Sequence, residues 1–288
     1  MLRILRAAGD PRPHATRERG DGDTSSMTPK LMGVVNVTPD SFSDGGLYLD
    51  PAAAISHGED LARAGAAILD VGGESTRPGA EEVAEGEELR RVVPVIEGLV
   101  RSGAEISVDT SKAAVAAAAL DAGAMIVNDV TALRGDVEMA ALCADRGATV
   151  VLMHMLGTPP TMQRDPVYAD VVDEVKAFLA ERVEAAVAAG IAAERIWLDP
   201  GIGFGKTAEH NLELLRRLGE LRELGRPLVV GTSRKSFIGR VDGSDAGERL
   251  GGTIASSVLA AAEGADVLRV HDVAEVGQAM AVAGAILG

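Results

Sequence analysis

The sequence has 288 residues, 47% hydrophobic and 25% charged, which is room for one barrel-sized domain of ordinary globular composition. A formal net charge of −15 excludes a surface built for nucleic acid, while leaving room for a local cationic cleft. No apolar run approaches the roughly 18 residues of a membrane span, and the single cysteine, Cys143, excludes an internal disulfide and fits a reducing, cytoplasmic setting.

Residues 1–28 are rich in Arg, Pro and Gly with no sustained apolar period, and read as a disordered N-terminal extension. Arginines in MLRILRAAGD interrupt the apolar core that a signal peptide needs. Residues 29–288 read as one domain. It opens with the apolar strand KLMGVVNV, followed by the loop NVTPDSFSDGG (36–46), in which Gly45 and Gly46 permit movement and Pro39 narrows the ensemble. That composition suits a mobile lid, and a phenylalanine in it, Phe42, asks for an apolar partner.

Next comes a phrase that recurs. RAGAAILDVGG, DAGAMIVNDV, DRGATVVLMH and AEGADVLRVHD each run from helix end to glycine, alanine, apolar run and polar residue. Gly65, Gly123, Gly147 and Gly264 stand where a helix needs a left-handed C-terminal cap. The apolar runs after them suit parallel strands covered on both faces. AEISVDT, ERIWLDP and RPLVVGTS enter differently, and with the opening strand the total is eight. Segments of helical period lie between them, such as HNLELLRRLGELRELG, and VAEVGQAMAVAGAIL ends the chain. Eight strand–helix units favour a closed (β/α)8 barrel over an open doubly wound sheet. Cys143, inside EMAALCADRG, reads as a small buried hydrophobe.

A barrel gathers its functional residues at the C-terminal ends of its strands. Those ends are Asn36, Asp70 with Glu74 and the STRPG loop, Asp109, Asn128 with Asp129, His154, Asp199, Ser233 to Lys235, and Arg269 with His271. Arg77, Lys235, Arg269 and His271 suit phosphate or diphosphate oxygens. A structural pairing of Arg269 with a barrel carboxylate such as Asp199 stands equally open. Asp109, Asn128 and Asp199 match the donor edge of an amino-pyrimidinone heterocycle. The five histidines form no H-x-H or H-E-x-x-H, so a zinc or binuclear hydrolase is disfavoured. PGIGFGKT (200–207) fails the phosphate-loop pattern, because Pro200 holds the first glycine position. It fails the dinucleotide pattern too, because Lys206 holds the last. Its glycines would bring the backbone close to a flat ligand, with Phe204 available to touch it.

MGVVNVTPDSFSDGG, DVGGESTRPG, SVDTSK, NDV, LMHM, LDPGIGFGKT, TSRKSFIG and RVHDV, in this order from residue 31 onward, resemble the dihydropteroate synthases. The resemblance implies a (β/α)8 barrel, usually a homodimer, that joins 6-hydroxymethyl-7,8-dihydropterin diphosphate to 4-aminobenzoate with Mg²⁺ and releases pyrophosphate. Small-molecule substrates are the implied partners, with neither nucleic acid nor membrane. By motif, Asn36, Thr76, Asp109, Asn128, Met153, Asp199, Phe204, Lys235, Arg269 and His271 would hold the pterin diphosphate. Asn36 would also be the Mg²⁺ ligand. Phe42, Thr76, Arg77, Pro78, Lys235 and Ser236 would hold the aminobenzoate. Asp44, Lys235, Arg269 and His271 would carry the chemistry, an SN1-like displacement with Asp44 facing the cation and Phe42 covering the second substrate. Two other readings predict different features. A methyltetrahydrofolate-binding methyltransferase domain needs no diphosphate apparatus, and a non-catalytic pterin-binding paralogue would show damage in the first two loops.

Overall fold

The computed structural model describes residues 28–38, 51–76, 80, 82–158 and 161–287. The expectations for residues 1–27, Phe42, Asp44, Arg77 and Pro78 fall outside them.

Eight parallel strands form the wall: β1 (Lys30–Asn36), β2 (Ile68–Gly72), β3 (Glu105–Asp109), β4 (Ile126–Asp129), β5 (Thr149–Met153), β6 (Ile196–Asp199), β7 (Val229–Val230) and β8 (Val267–Val270). Their order is β6-β5-β4-β3-β2-β1-β8-β7, and a parallel bridge from Leu198 to Leu228 joins the two ends of that order. The expected (β/α)8 barrel is what forms. Around it lie α1 (Pro51–Arg63), α2 (Glu85–Leu99), α3 (Ala113–Asp121), α4 (Met139–Arg146), α5 (Val171–Ala188), α6 (Ala208–Arg216), α7 (Ser236–Asp242), α8 (Leu250–Ala262) and α9 (Val273–Leu287). Gly65, Gly123, Gly147 and Gly264 have φ of 103°, 113°, 61° and 97°, the backbone their place after each helix requires. Asp170 caps α5 by accepting from Val172 N and Asp173 N, a contribution of about 1 kcal/mol.

Two details depart from simple alternation. The segment between β7 and β8 holds two helices, because Gly243 at φ 81° ends α7 after two turns and Asp242 accepts from Ser244 N in the turn that follows. Strand β7 is only two residues long, because the chain leaves the sheet for a tight turn at Arg234, φ 57°.

The core has two parts. Leu, Val, Ile and Ala side chains fill the space between strands and helices, Cys143 among them. Burial pushes the Cys143 thiol up to about 12, so it is unreactive at neutral pH. Inside the barrel, Met32, Ile68, Ile126, Val151, Val229 and Val267 form an apolar plug with Trp197 against it. Side chains alternate across a strand, so the next inward residue above each plug residue is two positions on. Above Ile68, Ile126, Val151, Trp197 and Val267 these are Asp70, Asn128, Met153, Asp199 and Arg269. A polar layer on an apolar plug is therefore written into the strands themselves, at the end where the loops open.

Candidate active site

Arg269 is the hub of that layer. Its Nε donates to Asp70 Oδ2 at 2.7 Å and its Nη2 to Asp109 Oδ2 at 2.9 Å. Asp70 is fully buried, and its Oδ2 also accepts from Asn128 Nδ2 at 3.0 Å. The structural pairing considered for Arg269 is thus real, but its partners are Asp70 and Asp109 rather than Asp199. Burial would lower the Arg269 pKa, yet Asp70 and Asp109 outweigh it and hold the guanidinium firmly charged. With Nε and Nη2 engaged, Nη1 and the faces of the guanidinium plane are left for a ligand. Asp109 is pushed up to about 7, first by burial, with Arg269 opposing and Asp70, Glu88 and Asp129 adding to the rise.

Across the mouth, Asp199 is buried and accepts from Gly201 N at 2.7 Å. Burial raises its pKa against the opposing charges of Lys235, Arg269 and Lys206. Lys235 Nζ donates to Ile202 O and stands 4.6 Å from the centre of the Phe204 ring. Burial pulls Lys235 down to about 8, with Asp199 working the other way. Val130, Met153, Met155 and Met162 pack with Phe204 into an apolar patch at the same mouth. Asp109, Asn128, Met153, Asp199, Phe204, Lys235 and Arg269 therefore share one mouth as expected, with acceptors, cations and an apolar face together.

The loop 200–206 is shaped by its glycines. Gly201, Gly203 and Gly205 all have positive φ, 67°, 85° and 60°. A Cβ on Gly201 would stand 1.9 Å from His154 O, and one on Gly205 would stand 2.6 Å from Leu156 O. These two glycines bring the loop close against the chain that follows β5. Gly201→Ala would combine a left-handed backbone with a backbone collision, an expected loss of more than about 3 kcal/mol. A thermal melt within experimental error of the parent would show that the loop can yield there.

The loops after β7 and β8 are tied together. Ser233 Oγ accepts from His271 N at 3.2 Å and lies 3.0 Å from His271 Nδ1. Arg234 forks onto Asp272 from Nε and Nη2 at 3.1 and 2.5 Å, while its own N donates to Thr253 Oγ1 at 3.0 Å. These bonds hold Arg234 in its left-handed turn, which sets Lys235 against Ile202. Ser236 follows, exposed at the start of α7. Asn36 ends β1 half-buried. Half-buried Thr76 shares a cleft of about 380 Å³ with Glu74, Asp109, Lys112, Val130 and Thr158, on the β2–β4 side of the mouth. In that cleft Lys112 Nζ bridges Glu74 and the buried Glu88, the latter at 2.6 Å.

Sequence reasoning overlooked Asp70 as the partner of Arg269, and gave no role to Lys112 or to a pairing of Arg234 with Asp272. The period-2 pattern in AILDVGG already aimed Asp70 inward beside the other layer residues. No local signal marks the Arg234–Asp272 pair.

The chain matches the family described as "Pterin binding enzyme" over residues 32–271. It is 49% identical over 262 residues to the dihydropteroate synthase of Escherichia coli strain K12, covering 90% of this chain and 92% of that protein. The chain belongs to the dihydropteroate synthase family. A dihydropteroate synthase of Xanthomonas albilineans solved with 4-aminobenzoic acid superposes at a TM-score of 0.86 and 50% identity, covering 91% of this chain and 94% of that one. The same organism's enzyme in complex with 7,8-dihydropteroate gives 0.82 and 47%, with the same coverage. As a dihydropteroate synthase, the chain is a transferase of folate biosynthesis. Likeness to synthases along nearly the whole chain decides against the methyltransferase-domain alternative.

Proposed function

We propose that 6-hydroxymethyl-7,8-dihydropterin diphosphate binds across Asp109, Asn128, Asp199 and Arg269, and that 4-aminobenzoate then binds beside Lys235 and Ser236. The observation that carries this reading is the facing of two buried carboxylates, Asp109 and Asp199, across a mouth that also holds Arg269, Lys235 and an apolar patch. Carboxylates accept from the pterin's amino and ring N–H groups, and Asn128 completes the edge. Met153 and Phe204 supply apolar contact, and the Arg269 plane offers a stacking face where aromatic residues are scarce. Arg269 and His271 meet the diphosphate as charge develops on it.

In the reaction the bond between the pterin methylene and the diphosphate oxygen breaks, and its electron pair leaves with pyrophosphate. The methylene cation is delocalised into the pterin ring, so the aniline lone pair can close the new C–N bond without a strong base. The aniline proton then passes to solvent. Asp44, Phe42, Arg77 and Pro78 keep their motif-implied roles over this site as part of the proposal.

Asn36 offers one hard oxygen at the end of β1, the donor type Mg²⁺ takes when phosphate oxygens and water fill the rest of its shell. Among the described residues no group of three His, Cys, Asp or Glu gathers into a cage, which suits an ion shared with the substrate. When bound, such an ion would neutralise charge on the leaving diphosphate. No helix among the described residues is long and apolar enough to cross a membrane. A homodimer is supported by the exposed apolar side chains of α8 and α9, Leu259, Val282, Ile286 and Leu287. A cytoplasmic setting suits the single reduced thiol.

The direct test is pyrophosphate release from purified protein given Mg²⁺, the pterin diphosphate and 4-aminobenzoate. A folded protein that releases none would be a pterin-binding paralogue instead. Acidity supplies a second prediction. Ionised Asp109 accepts at both oxygens, whereas its acid form turns an O–H donor toward the pterin's own donors, and burial pushes this carboxyl up to about 7. Pterin affinity should therefore rise from about pH 6 to neutrality and fall above about pH 8 as Lys235 loses its charge. Asp109→Asn should abolish the acid limb. A pterin Kd that is flat across this range in the parent protein would remove Asp109 from recognition.

A further inference from the structure

Lys206 takes no part in the chemistry above, yet it is only 3% exposed. A lysine this deep is rare unless its ammonium is engaged on all sides. Its Nζ lies 2.9 Å from His154 Nδ1, 3.0 Å from Gly201 O, 3.0 Å from Phe204 O and 3.4 Å from His154 O. One ammonium thus spans the segment after β5 and the loop after β6. Burial and the Lys206 charge pull His154 down to about 3, so the imidazole is neutral and its Nδ1 offers a lone pair to the ammonium. Burial pulls Lys206 well below its ordinary value, with Asp199 opposing and Lys235 adding to the fall, so the three carbonyl oxygens and the His154 lone pair around Nζ are what favour its charged form. GFGKT fails as a phosphate loop in space as it does in pattern, because Nζ is turned inward onto protein acceptors.

What hangs on this cross-link is the pterin floor. The loop 200–206 has no helix or strand of its own, and three positive-φ glycines shape it. From it come Ile202 O, which receives Lys235 Nζ, the Phe204 ring beside Lys235, and Gly201 N, which donates to Asp199. Lys206 holds the carbonyls of Gly201 and Phe204 on either side of Ile202. We infer that Lys206 is a positioning residue for pterin recognition, whose buried Nζ pins this loop to His154 and so sets Ile202, Phe204 and Asp199 against Lys235. The inference rests on the proposed pterin site.

Lys206→Met keeps the length and apolar stem but removes every donor. The variant is followed by thermal melt, by calorimetric binding of 6-hydroxymethylpterin, and by steady-state kinetics. The pterin Kd should rise by about tenfold or more, with KM for the pterin diphosphate rising alongside it and kcat falling less than about threefold. A folded variant with the parent's pterin Kd overturns the inference, as does one in which only the yield of active protein drops. If the variant does not fold, the parent protein decides. Its lysines are Lys30, Lys112, Lys176, Lys206 and Lys235, and a buried ammonium gives a Nζ magnetic-resonance signal protected from water exchange. Protection at Lys206 should increase when 6-hydroxymethylpterin saturates the site. A Lys206 signal indifferent to saturating pterin overturns the inference. A parent protein that binds no pterin at all sinks the proposed site instead, so the two failures are distinct.

Discussion

Asp199→Ala is expected to weaken pterin binding by roughly a hundredfold to a thousandfold, or about 3–4 kcal/mol. Two losses add. The pterin edge would lose a charge-assisted acceptor in a site where water cannot replace it. Lys235, Arg269 and Lys206, all of which interact electrostatically with Asp199, would lose a shared counter-charge. Asp199→Asn separates these effects, because the amide oxygen can still accept from Gly201 N while the charge is gone. Its affinity should fall between parent and alanine variant. Calorimetry with a pterin ligand reads the result, and an alanine variant within threefold of the parent would take Asp199 out of recognition.

Arg269→Ala should abolish turnover and also weaken the fold, by about 3–5 kcal/mol. The guanidinium pairs with fully buried Asp70 and nearly buried Asp109, and its removal leaves two carboxylates in the barrel mouth with no cation between them. Asp109, already pushed up by burial, would then lose the Arg269 charge that opposes the rise. Protons would bind more tightly to the folded form, so the penalty disappears below the unfolded carboxylate range and grows as pH rises through the folded values. Denaturant unfolding should therefore show the largest gap from the parent near about pH 8 and the smallest near about pH 4. Arg269→Lys restores a charge but not the fork to two carboxylates, so stability should recover further than turnover. Parent-level turnover in Arg269→Ala would remove Arg269 from the mechanism.

Much of the barrel was legible because its signals are local. A glycine with positive φ after a helix, followed by an apolar run, marks a turn into a buried strand wherever it occurs, and Gly65, Gly123, Gly147 and Gly264 each behave accordingly. The inward aim of Asp109, Asn128, Asp199 and Arg269 was legible for the same reason, since alternation along a strand is a property of the backbone alone. Gly201 shows where this reasoning stops. Its need for a positive φ is local, but the reason for it, an approach to His154 O, lies on another strand's loop.

By itself, then, the sequence determined the eight units, their order, the apolar plug and the polar layer above it, together with the motifs that resemble the synthases. Only the tertiary structure decided who pairs with whom. Arg269 reaches Asp70 and Asp109 from 199 and 160 residues away, and the choice depends on strand register around the closed ring. Lys206 follows the same rule. The sequence rejects GFGKT as a phosphate loop, but only the packing of one loop against another turns Lys206 inward to His154. Local conformation is set by near neighbours along the chain, whereas the partner of a buried charge is set by which backbones the closed ring brings together.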